Sequence, residues 1–254
     1  MHENINNNWI NERLRYFIAN SYSKKINQIT KEYLSTLVEL DLSETGIDDL
    51  TGIEYATNLI NINLNKNDIV DANVLGQLTK LNNLDLSENR IEDISFLSNL
   101  KKLKSIGLDS NNISKVPNLE NLRYLKLINI SDNKIKDLSF IDRLHRKNVK
   151  VIASEQLILL DAVLINANTD CHFKTPIRWN NEIEVLFDNI QVTGKYDSVK
   201  TNKRPSLLYS ISEIIIKNIT SDCLIKAEFY HEVPFLKSGT FSGLLIQPIS
   251  VINK

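Results

Sequence analysis

The chain has 254 residues, of which 42% are hydrophobic and 24% charged, a balance typical of an ordinary globular protein with one or two domains. Thirty basic residues against 31 acidic ones give a formal charge of −1, so no excess of positive charge favours nucleic acid as a partner. No run of about 18 apolar residues occurs, so we expect no insertion into a membrane.

Residues 1–36 are predicted to form a helical N-terminal cap. Its apolar residues recur at the spacing of one helix face: Ile10, Leu14, Phe17 and Ile18. We expect the Asn6–Asn8 run to supply the first helix N-cap and Thr30 to begin a second short helix. The stretch before the first helix has no basic start followed by an apolar segment, so no signal peptide is predicted there.

Residues 37–154 are predicted to form an array of leucine-rich repeats. Five blocks of equal length begin at Leu37, Leu59, Leu81, Leu103 and Leu125. Each block has the spacing Leu, two variable residues, Leu or Ile, one variable residue, Leu or Ile, as in the segment from Leu81 to Leu86. Seven positions of the block are apolar in every repeat, which predicts a solenoid whose parallel strands stack side by side.

The ninth position of each block is polar and predicts a structural role at the turn after the strand. An amide there supplies both a donor and an acceptor, so stacked amides can satisfy the turn from repeat to repeat. The residues of this column are Thr45, Asn67, Asn89, Asn111 and Asn133. The second half of each block, with apolar residues spaced by three, predicts a convex side of turns and 3₁₀ segments.

The repeat pattern ends at Leu144, and the segment from Val149 to Ile152 needs two extra residues to rejoin the frame. From Gln156 onward, longer β runs separated by Gly, Asn and Pro predict an all-β immunoglobulin-like sandwich over residues 155–254. The predicted runs are 157–165, 183–187, 207–216, 224–230 and 241–249.

Two cysteines, Cys171 and Cys223, are too few for a disulfide scaffold, and we expect free thiols, with a single bridge between them as the alternative. No histidines or cysteines have the spacing of a zinc site, so no metal or cofactor is expected. A thiol enzyme built on Cys171 or Cys223 with a histidine base, His172 or His231, is a remote alternative. Adjacent residues of a strand point to opposite faces, which argues against Cys171 with His172.

A helical cap, 22-residue repeats and a trailing β-sandwich together resemble the internalins, surface proteins of Gram-positive bacteria. The segment from Leu50 to Leu59 is similar to the start of the array in that family. Gly239–Gly243, followed by Gln247 and Pro248, is similar to its closing strand, and Trp179 with residues 181–183 is a weaker match. The resemblance implies a secreted or cell-surface protein. A cytosolic leucine-rich repeat scaffold remains the alternative, because no signal peptide or wall-anchoring motif is found.

The resemblance also implies that the concave face binds a host or partner protein without catalysis. The outward positions predicted to contact the partner are Glu39, Asp41, Asn61, Asn63, Asn65, Asn83, Asp85, Ser105, Asp109 and Asn129. They include no aromatic residue and no arginine, the usual anchors of tight interfaces. Five strands give a face of roughly 480 Å², below the roughly 800 Å² of a standard interface. We therefore expect the cap or sandwich to help the face to bind a basic or mixed-charge protein, with a merely solvated acidic face as the alternative. We also expect a monomer.

Overall fold

The computed structural model describes residues 9–137, 139–145, 147–174, 187–203, 211–219, 221–232 and 240–252. Contacts between Cα atoms divide the chain into two compact units. The repeat unit comprises Met1–Ile130 and Arg146–Val151, and the C-terminal unit comprises Ser131–His145 and Ile152–Lys254.

The repeat unit begins with two helices, α1 (Glu12–Ser21) and α2 (Lys31–Thr36). Thr30 caps α2 as predicted, because its hydroxyl accepts a hydrogen bond from the Tyr33 backbone N–H at 3.1 Å. The prediction for α1 was wrong in position. The helix is capped by Asn11, whose side chain accepts from the Leu14 N–H at 3.0 Å, whereas Asn6–Asn8 lie outside the described residues.

The segment before α1 packs closely against the first repeat at Gly52. This glycine has a φ of +99°, and a Cβ atom there would lie 2.6 Å from the Ile10 Cβ. Only glycine combines this left-handed conformation with so close an approach. Two hydrogen bonds fix the same contact: the Asn11 N–H donates to the Thr51 carbonyl at 2.9 Å, and the Asn11 amide donates to Asp49 at 3.0 Å.

The repeats form the predicted leucine-rich repeat solenoid. Its parallel strands are β1 (Glu39–Asp41), β2 (Asn61–Asn63), β3 (Asn83–Asp85), β4 (Ser105–Gly107) and β5 (Leu127–Asn129), each paired with the next. Between strands the chain forms the predicted 3₁₀ segments, Ile53–Tyr55, Asn73–Gln77 and Ser95–Asn99. The apolar columns are buried, apart from the partly exposed Val116 and from Leu138, which lies outside the described residues.

The predicted amide column is confirmed as a ladder of hydrogen bonds. The Asn89 side-chain amide donates to the Leu64 carbonyl of the preceding repeat at 2.9 Å and to the Leu86 carbonyl of its own at 3.0 Å. Its oxygen accepts from the Ile69 N–H at 3.0 Å. The asparagines at the same position of the repeats before and after make the same contacts. One buried side chain thus satisfies the turn and joins neighbouring repeats.

Each ladder residue follows a residue in the left-handed conformation, and the spacing of these residues shows that the ladder continues past the five aligned blocks. The left-handed residues are Glu44, Lys66, Glu88, Ser110, Asp132 and Glu155, so the last interval is one residue longer than the others. Gln156 then takes the ladder position, and its side-chain oxygen accepts from the Ile135 N–H at 3.0 Å. Gln156 therefore belongs to a further turn and lies one residue out of frame. The strand before it starts two residues late, as predicted, because the Lys150 N–H donates to the carbonyl of Lys126, 24 rather than 22 residues earlier. The helix α3 (Ser139–His145) precedes that turn.

The C-terminal unit is built mainly from strands. They are β6 (Lys150–Leu159), whose first two residues lie in the repeat unit, β7 (Val163–Asn166), β8 (Thr169–Lys174), β9 (Phe187–Thr193), β10 (Ser198–Lys203), β11 (Ile211–Ile219), β12 (Cys223–Glu232) and β13 (Thr240–Ile252). β12 pairs antiparallel with β9 and β13, and β11 pairs antiparallel with β8 and β10. The sequence missed β8 and β10. Trp179 and residues 183–186 and 207–210 lie outside the described residues.

The predicted strand over residues 157–165 is interrupted, and Pro248 explains the break. β13 pairs in parallel with β6 up to Ile246 and with β7 from Ile249 onward. Pro248, between these two segments, has no N–H to donate to a neighbouring strand. The Gln247 side chain instead donates to the Asp161 carbonyl at 2.7 Å, across the gap between β6 and β7.

Both cysteines are buried and unbridged in the C-terminal unit. Burial raises the pKa of both thiols; the neighbouring Cys223 raises the pKa of Cys171 further, and the Asp222 carboxylate does so for Cys223. His172 is exposed, whereas Cys171 is 6% exposed, so the two side chains occupy opposite faces of β8. The His231 side chain lies outside the described residues.

Replacing Asn89 with leucine should destabilise the protein by about 3 kcal/mol or more, because buried carbonyls and the Ile69 N–H lose their partner. Urea unfolding followed by circular dichroism measures the change. The matched control is Asn83→Ala, which removes an exposed amide and should cost less than about 1 kcal/mol. Equal losses in the two variants would contradict a structural role specific to the ladder.

The folded protein should react with a thiol reagent such as 5,5′-dithiobis(2-nitrobenzoic acid) at least about tenfold more slowly at pH 7.4 than the urea-unfolded chain. Burial limits access, and the raised pKa of each thiol keeps it protonated. Cys171→Ser and Cys223→Ser identify which thiol reacts. Rapid native labelling of either cysteine would show that the thiol is accessible.

Candidate functional site

The predicted partner-binding residues lie mainly in two rows along the outward face of β1–β5, here the strand face. The central residue of each strand is buried, and the residues on either side of it point outward. The first row contains Glu39, Asn61, Asn83, Ser105 and Leu127, and the second contains Asp41, Asn63, Asp85, Gly107 and Asn129. Asn65 and Asp109 lie two residues beyond the ends of β2 and β4.

The first row is connected by side-chain hydrogen bonds. The Asn83 amide donates to the Asn61 oxygen at 2.7 Å, and the Asn61 amide donates to the Glu39 carboxylate at 2.8 Å. A row of amides thus ends in an exposed carboxylate at the first strand. Because these bonds hold the side chains in one arrangement, the polar surface is largely preorganised.

At the start of the array, side chains of the second row accept hydrogen bonds from the backbone of their own repeats. Asp41, Asn63 and Asp85 each accept a hydrogen bond from the N–H two residues later, at 3.0, 3.1 and 3.0 Å. The N–H and hydroxyl of Ser43, together with the Asn63 side chain, lower the pKa of Asp41 below its ordinary value. Asp41 therefore stays negatively charged at neutral pH.

Gly107 leaves a gap in the second row, and a polar cluster fills the space. A Cβ atom at this position would lie 2.6 Å from Asp85 Oδ1 and 2.8 Å from Ser87 Oγ. The Ser87 hydroxyl lies 2.7 Å from the carboxylates of both Asp85 and Asp109, and the Asn129 amide donates to Asp109 at 2.8 Å. Ser87 is buried as a result, at 6% exposure.

A groove of about 650 Å³ lies on the strand face of the first four repeats and is bordered by two residues that the sequence missed. Ser21 and Tyr22, from the end of α1, line it together with Glu39, Asp41 and Asp85. The Ser21 hydroxyl donates to the Asp41 carbonyl at 3.3 Å, and the Tyr22 hydroxyl donates to the Glu39 carbonyl. Partial burial raises the pKa of Tyr22, with smaller effects from Tyr33 and Glu39.

The 22-residue pattern gives no sign that α1 ends beside the groove, since Ser21 and Tyr22 precede the first repeat. Tyr22 is held edge-on to the Tyr33 ring, with 6.1 Å between ring centroids. It supplies an aromatic side chain that the two rows lack. Its place beside the groove depends on its hydrogen bond to the Glu39 carbonyl, which strand positions alone do not predict.

Within the described part of the chain, no group of three or more His, Cys, Asp or Glu side chains could hold a metal ion. No described helix is long and apolar enough to cross a membrane.

The sequence model of the family "Leucine Rich repeats (2 copies)" matches residues 79–121. No curated protein matches the chain in sequence. Among solved structures, internalin C2 of Listeria monocytogenes is 26% identical, with a TM-score of 0.54 over 61% of this chain and 69% of its own. The secreted internalin-like protein Lmo2445 of the same bacterium is 17% identical, with a TM-score of 0.62 and 95% of both chains covered.

Internalin inlF of Listeria monocytogenes is 27% identical, with a TM-score of 0.47 over 59% of this chain, and the chain spans 51% of that protein. The family match lies within the repeats, and the likeness to Lmo2445 extends over nearly the whole fold. The predicted resemblance is therefore confirmed: the chain contains leucine-rich repeats, and its fold is similar to those of internalin and internalin-like proteins.

Proposed function

We propose that this chain is a non-enzymatic protein-binding module that uses its strand face, the predicted concave face, to bind a basic or mixed-charge protein. The observation that carries the proposal is the groove of about 650 Å³, which is open at the surface and lined by Glu39, Asp41 and Asp85. A lysine or arginine side chain of a partner fits such a groove, because it can pair with these carboxylates while its stem covers the apolar parts of the wall.

Tyr22 supports a binding role for the helical segment as well as for the strands. Aromatic side chains are enriched among the residues that contribute most to protein interfaces, and the two rows contain none. Because the strand rows alone offer roughly 480 Å², a stable complex needs contacts beyond them. α1 and its C-terminal residues provide such contacts at one end of the groove.

We assign residues 1–36 as an N-terminal cap of the array at residues 37–154. In a parallel sheet, alternate residues of a strand make backbone hydrogen bonds to the strands on its two sides. Val38 and Leu42 make such bonds to the β2 side. The Glu39 and Asp41 carbonyls therefore face away from β2, at the edge of the sheet. Tyr22 and Ser21 donate to these two carbonyls, which supports the assignment, since an unpaired edge would otherwise be open to another chain.

For residues 155–254 we propose an immunoglobulin-like sandwich that helps to bind the partner protein. The antiparallel pairing of β12 with β9 and β13, and of β11 with β8 and β10, supports it. So does the alternation in β12, where Cys223, Ile225 and Ala227 are buried and Lys226 is exposed. The parallel pairing of β13 with β6 and β7 is an addition to an all-antiparallel sandwich.

We further propose that the protein acts outside the cell as a monomer. The secreted description of the Lmo2445 protein supports the location. The monomer is favoured because the outward rows of the repeat unit are polar or charged at most positions, whereas stable self-association usually buries a more apolar surface.

The triple variant Asp41→Lys, Asp85→Lys, Asp109→Lys should weaken binding of the protein partner at least about tenfold, because it reverses the charge of the strand face. Partners captured from host and bacterial lysates by the immobilised wild type are identified by mass spectrometry, and their affinities are then measured by biolayer interferometry. The matched control, Asp48→Lys, Glu88→Lys, Glu92→Lys, makes the same charge change at exposed positions off the two rows.

A second triple variant, Glu39→Lys, Asn61→Lys, Asn83→Lys, changes the first row without touching the carboxylates that bond Ser43 and Ser87. Unfolding curves show whether each variant remains folded. If every captured protein binds the two strand-face variants as tightly as the wild type, the strand face is not the binding surface.

Tyr22→Ala should weaken the binding of the same partner by about fivefold or more, because the substitution removes the aromatic side chain that borders the groove. Tyr22→Phe keeps the ring and should retain most of the affinity. Tyr16→Ala is the control, since Tyr16 is a tyrosine of α1 that is 49% exposed and does not line the groove. Equal affinities for the Tyr22→Ala and Tyr16→Ala variants would exclude the end of α1 from the interface.

A further inference from the structure

A second surface of the repeat unit carries many positive charges that have no part in the binding proposed for the strand face. It lies where each repeat turns into its strand, over four tetrapeptides that we name the basic edge: Thr79–Asn82, Lys101–Lys104, Arg123–Lys126 and Lys147–Lys150. These segments contain no acidic residue. Their basic side chains are all exposed: Lys80, Lys101, Lys102, Lys104, Arg123, Lys126, Lys147 and Lys150.

The hydrogen bonds of the backbone stack these charges from repeat to repeat. The Lys126 N–H donates to the Lys104 carbonyl at 2.8 Å, and the Lys150 N–H donates to the Lys126 carbonyl at 2.8 Å. The three lysines therefore start adjacent strands, about 4.8 Å apart. Like charges on directly neighbouring strands repel one another, so this column costs stability.

The opposite edge of the same repeats shows that such repulsion is avoidable. There, Lys66 bonds Glu44 at 3.0 Å and Arg90 bonds Asp68 at 2.6 Å, so charges of opposite sign follow one another along the stack. Among the described residues, the salt bridges include none of the eight cations of the basic edge. Lys80 and Lys147 contact only uncharged oxygens, of Asn58 and of the Glu120 backbone. The positive charge is left for a partner outside the chain.

We infer that the basic edge binds a linear acidic polysaccharide. A chain with regularly spaced sulfates or carboxylates can pair with cations that recur on successive strands. Tyr124 lies in the middle of the edge, between Arg123 and Leu125, and is 60% exposed. Its flat apolar face suits the C–H face of a sugar ring, while the cations beside it hold the charged groups.

The charge of the whole protein and the composition of the edge distinguish this partner from other polyanions. A nucleic acid has a higher charge density, and the chain as a whole has a formal charge of −1 with an acidic groove in the same unit. A membrane surface is held best by several apolar residues next to the cations, and Tyr124 is the large apolar side chain exposed among these four segments.

The test measures binding of a heparin octasaccharide to the full chain in 150 mM NaCl by isothermal titration calorimetry. The triple variant Lys102→Glu, Lys104→Glu, Lys126→Glu should bind at least about tenfold more weakly, because three charges are reversed and the net charge of the exposed site falls by about six units. Tyr124→Ala should weaken binding several-fold without changing its dependence on salt, since it removes no charge. The control Lys24→Glu, Lys25→Glu, Lys115→Glu makes the same change at exposed lysines elsewhere and should bind like the wild type.

The strand-face variants of Asp41, Asp85 and Asp109 should retain octasaccharide binding, so this inference and the proposed protein-binding function can fail separately. Circular dichroism confirms folding of each variant. The inference is overturned if the control triple variant loses as much affinity as the basic-edge variant. It is overturned as well if a 20-base-pair DNA duplex or phosphatidylserine vesicles bind more tightly than the octasaccharide at equal anion concentration.

Discussion

The buried amide ladder is the interaction on which the rest of the repeat unit depends. Each repeat turns through a left-handed residue, which leaves carbonyls and an N–H without partners inside the protein. The next side chain, an asparagine in most repeats, supplies a donor and an acceptor at once and reaches the carbonyl of the preceding repeat. Satisfying the turn and fixing the register of neighbouring strands are therefore a single interaction, which explains why the length of the repeat is kept so strictly.

A fixed register arranges every surface position into a column with one residue per repeat. A column of charged residues can alternate in sign, as with Glu44, Lys66 and Glu88, or repeat one sign, as with Lys104, Lys126 and Lys150. In a column of amides, neighbouring side chains hydrogen-bond to each other, as those of Asn61 and Asn83 do. The function of such a fold depends on which residues occupy the surface columns, because the buried columns serve only to stack the repeats.

The strict interval also accounts for what the sequence predicted well. The buried columns, the amide ladder and the outward rows follow from a single alignment and agree with the burial of the side chains. Gln156 was missed because one extra residue shifts it out of the alignment and a glutamine replaces the asparagine. A ladder position is thus marked more reliably by the left-handed conformation of the residue before it than by its own residue type. At Gln156, that preceding residue is Glu155.

Other features were beyond the sequence because they depend on contacts between distant segments. The strands β8 (Thr169–Lys174) and β10 (Ser198–Lys203) are largely polar, so no apolar run marks them; their pairing with β11 defines them. The break between β6 and β7 depends on Pro248, which lies far along the chain near its C-terminal end. Tyr22 reaches the groove only because α1 packs at the edge of β1.

The contact of α1 with β1 connects the stability of the array to its proposed binding surface. Ser21 and Tyr22 satisfy the edge carbonyls of Asp41 and Glu39, and the side chains of these same two residues line the groove. Hydrogen bonds from side chains to backbone carbonyls, which the fold already needs, therefore hold the end of the groove in place. A partner would consequently lose little entropy in ordering this end of the groove. At the far end, the outward residues bond mainly to each other, as Asp109 does with Ser87 and Asn129. Outward side chains of the first strands are bonded to each other as well, as Glu39 is to Asn61, so existing hydrogen bonds do not distinguish the two ends. The affinity of the strand face should be concentrated at its first strands because Tyr22 adds an aromatic side chain there, beside the Glu39 and Asp41 carboxylates.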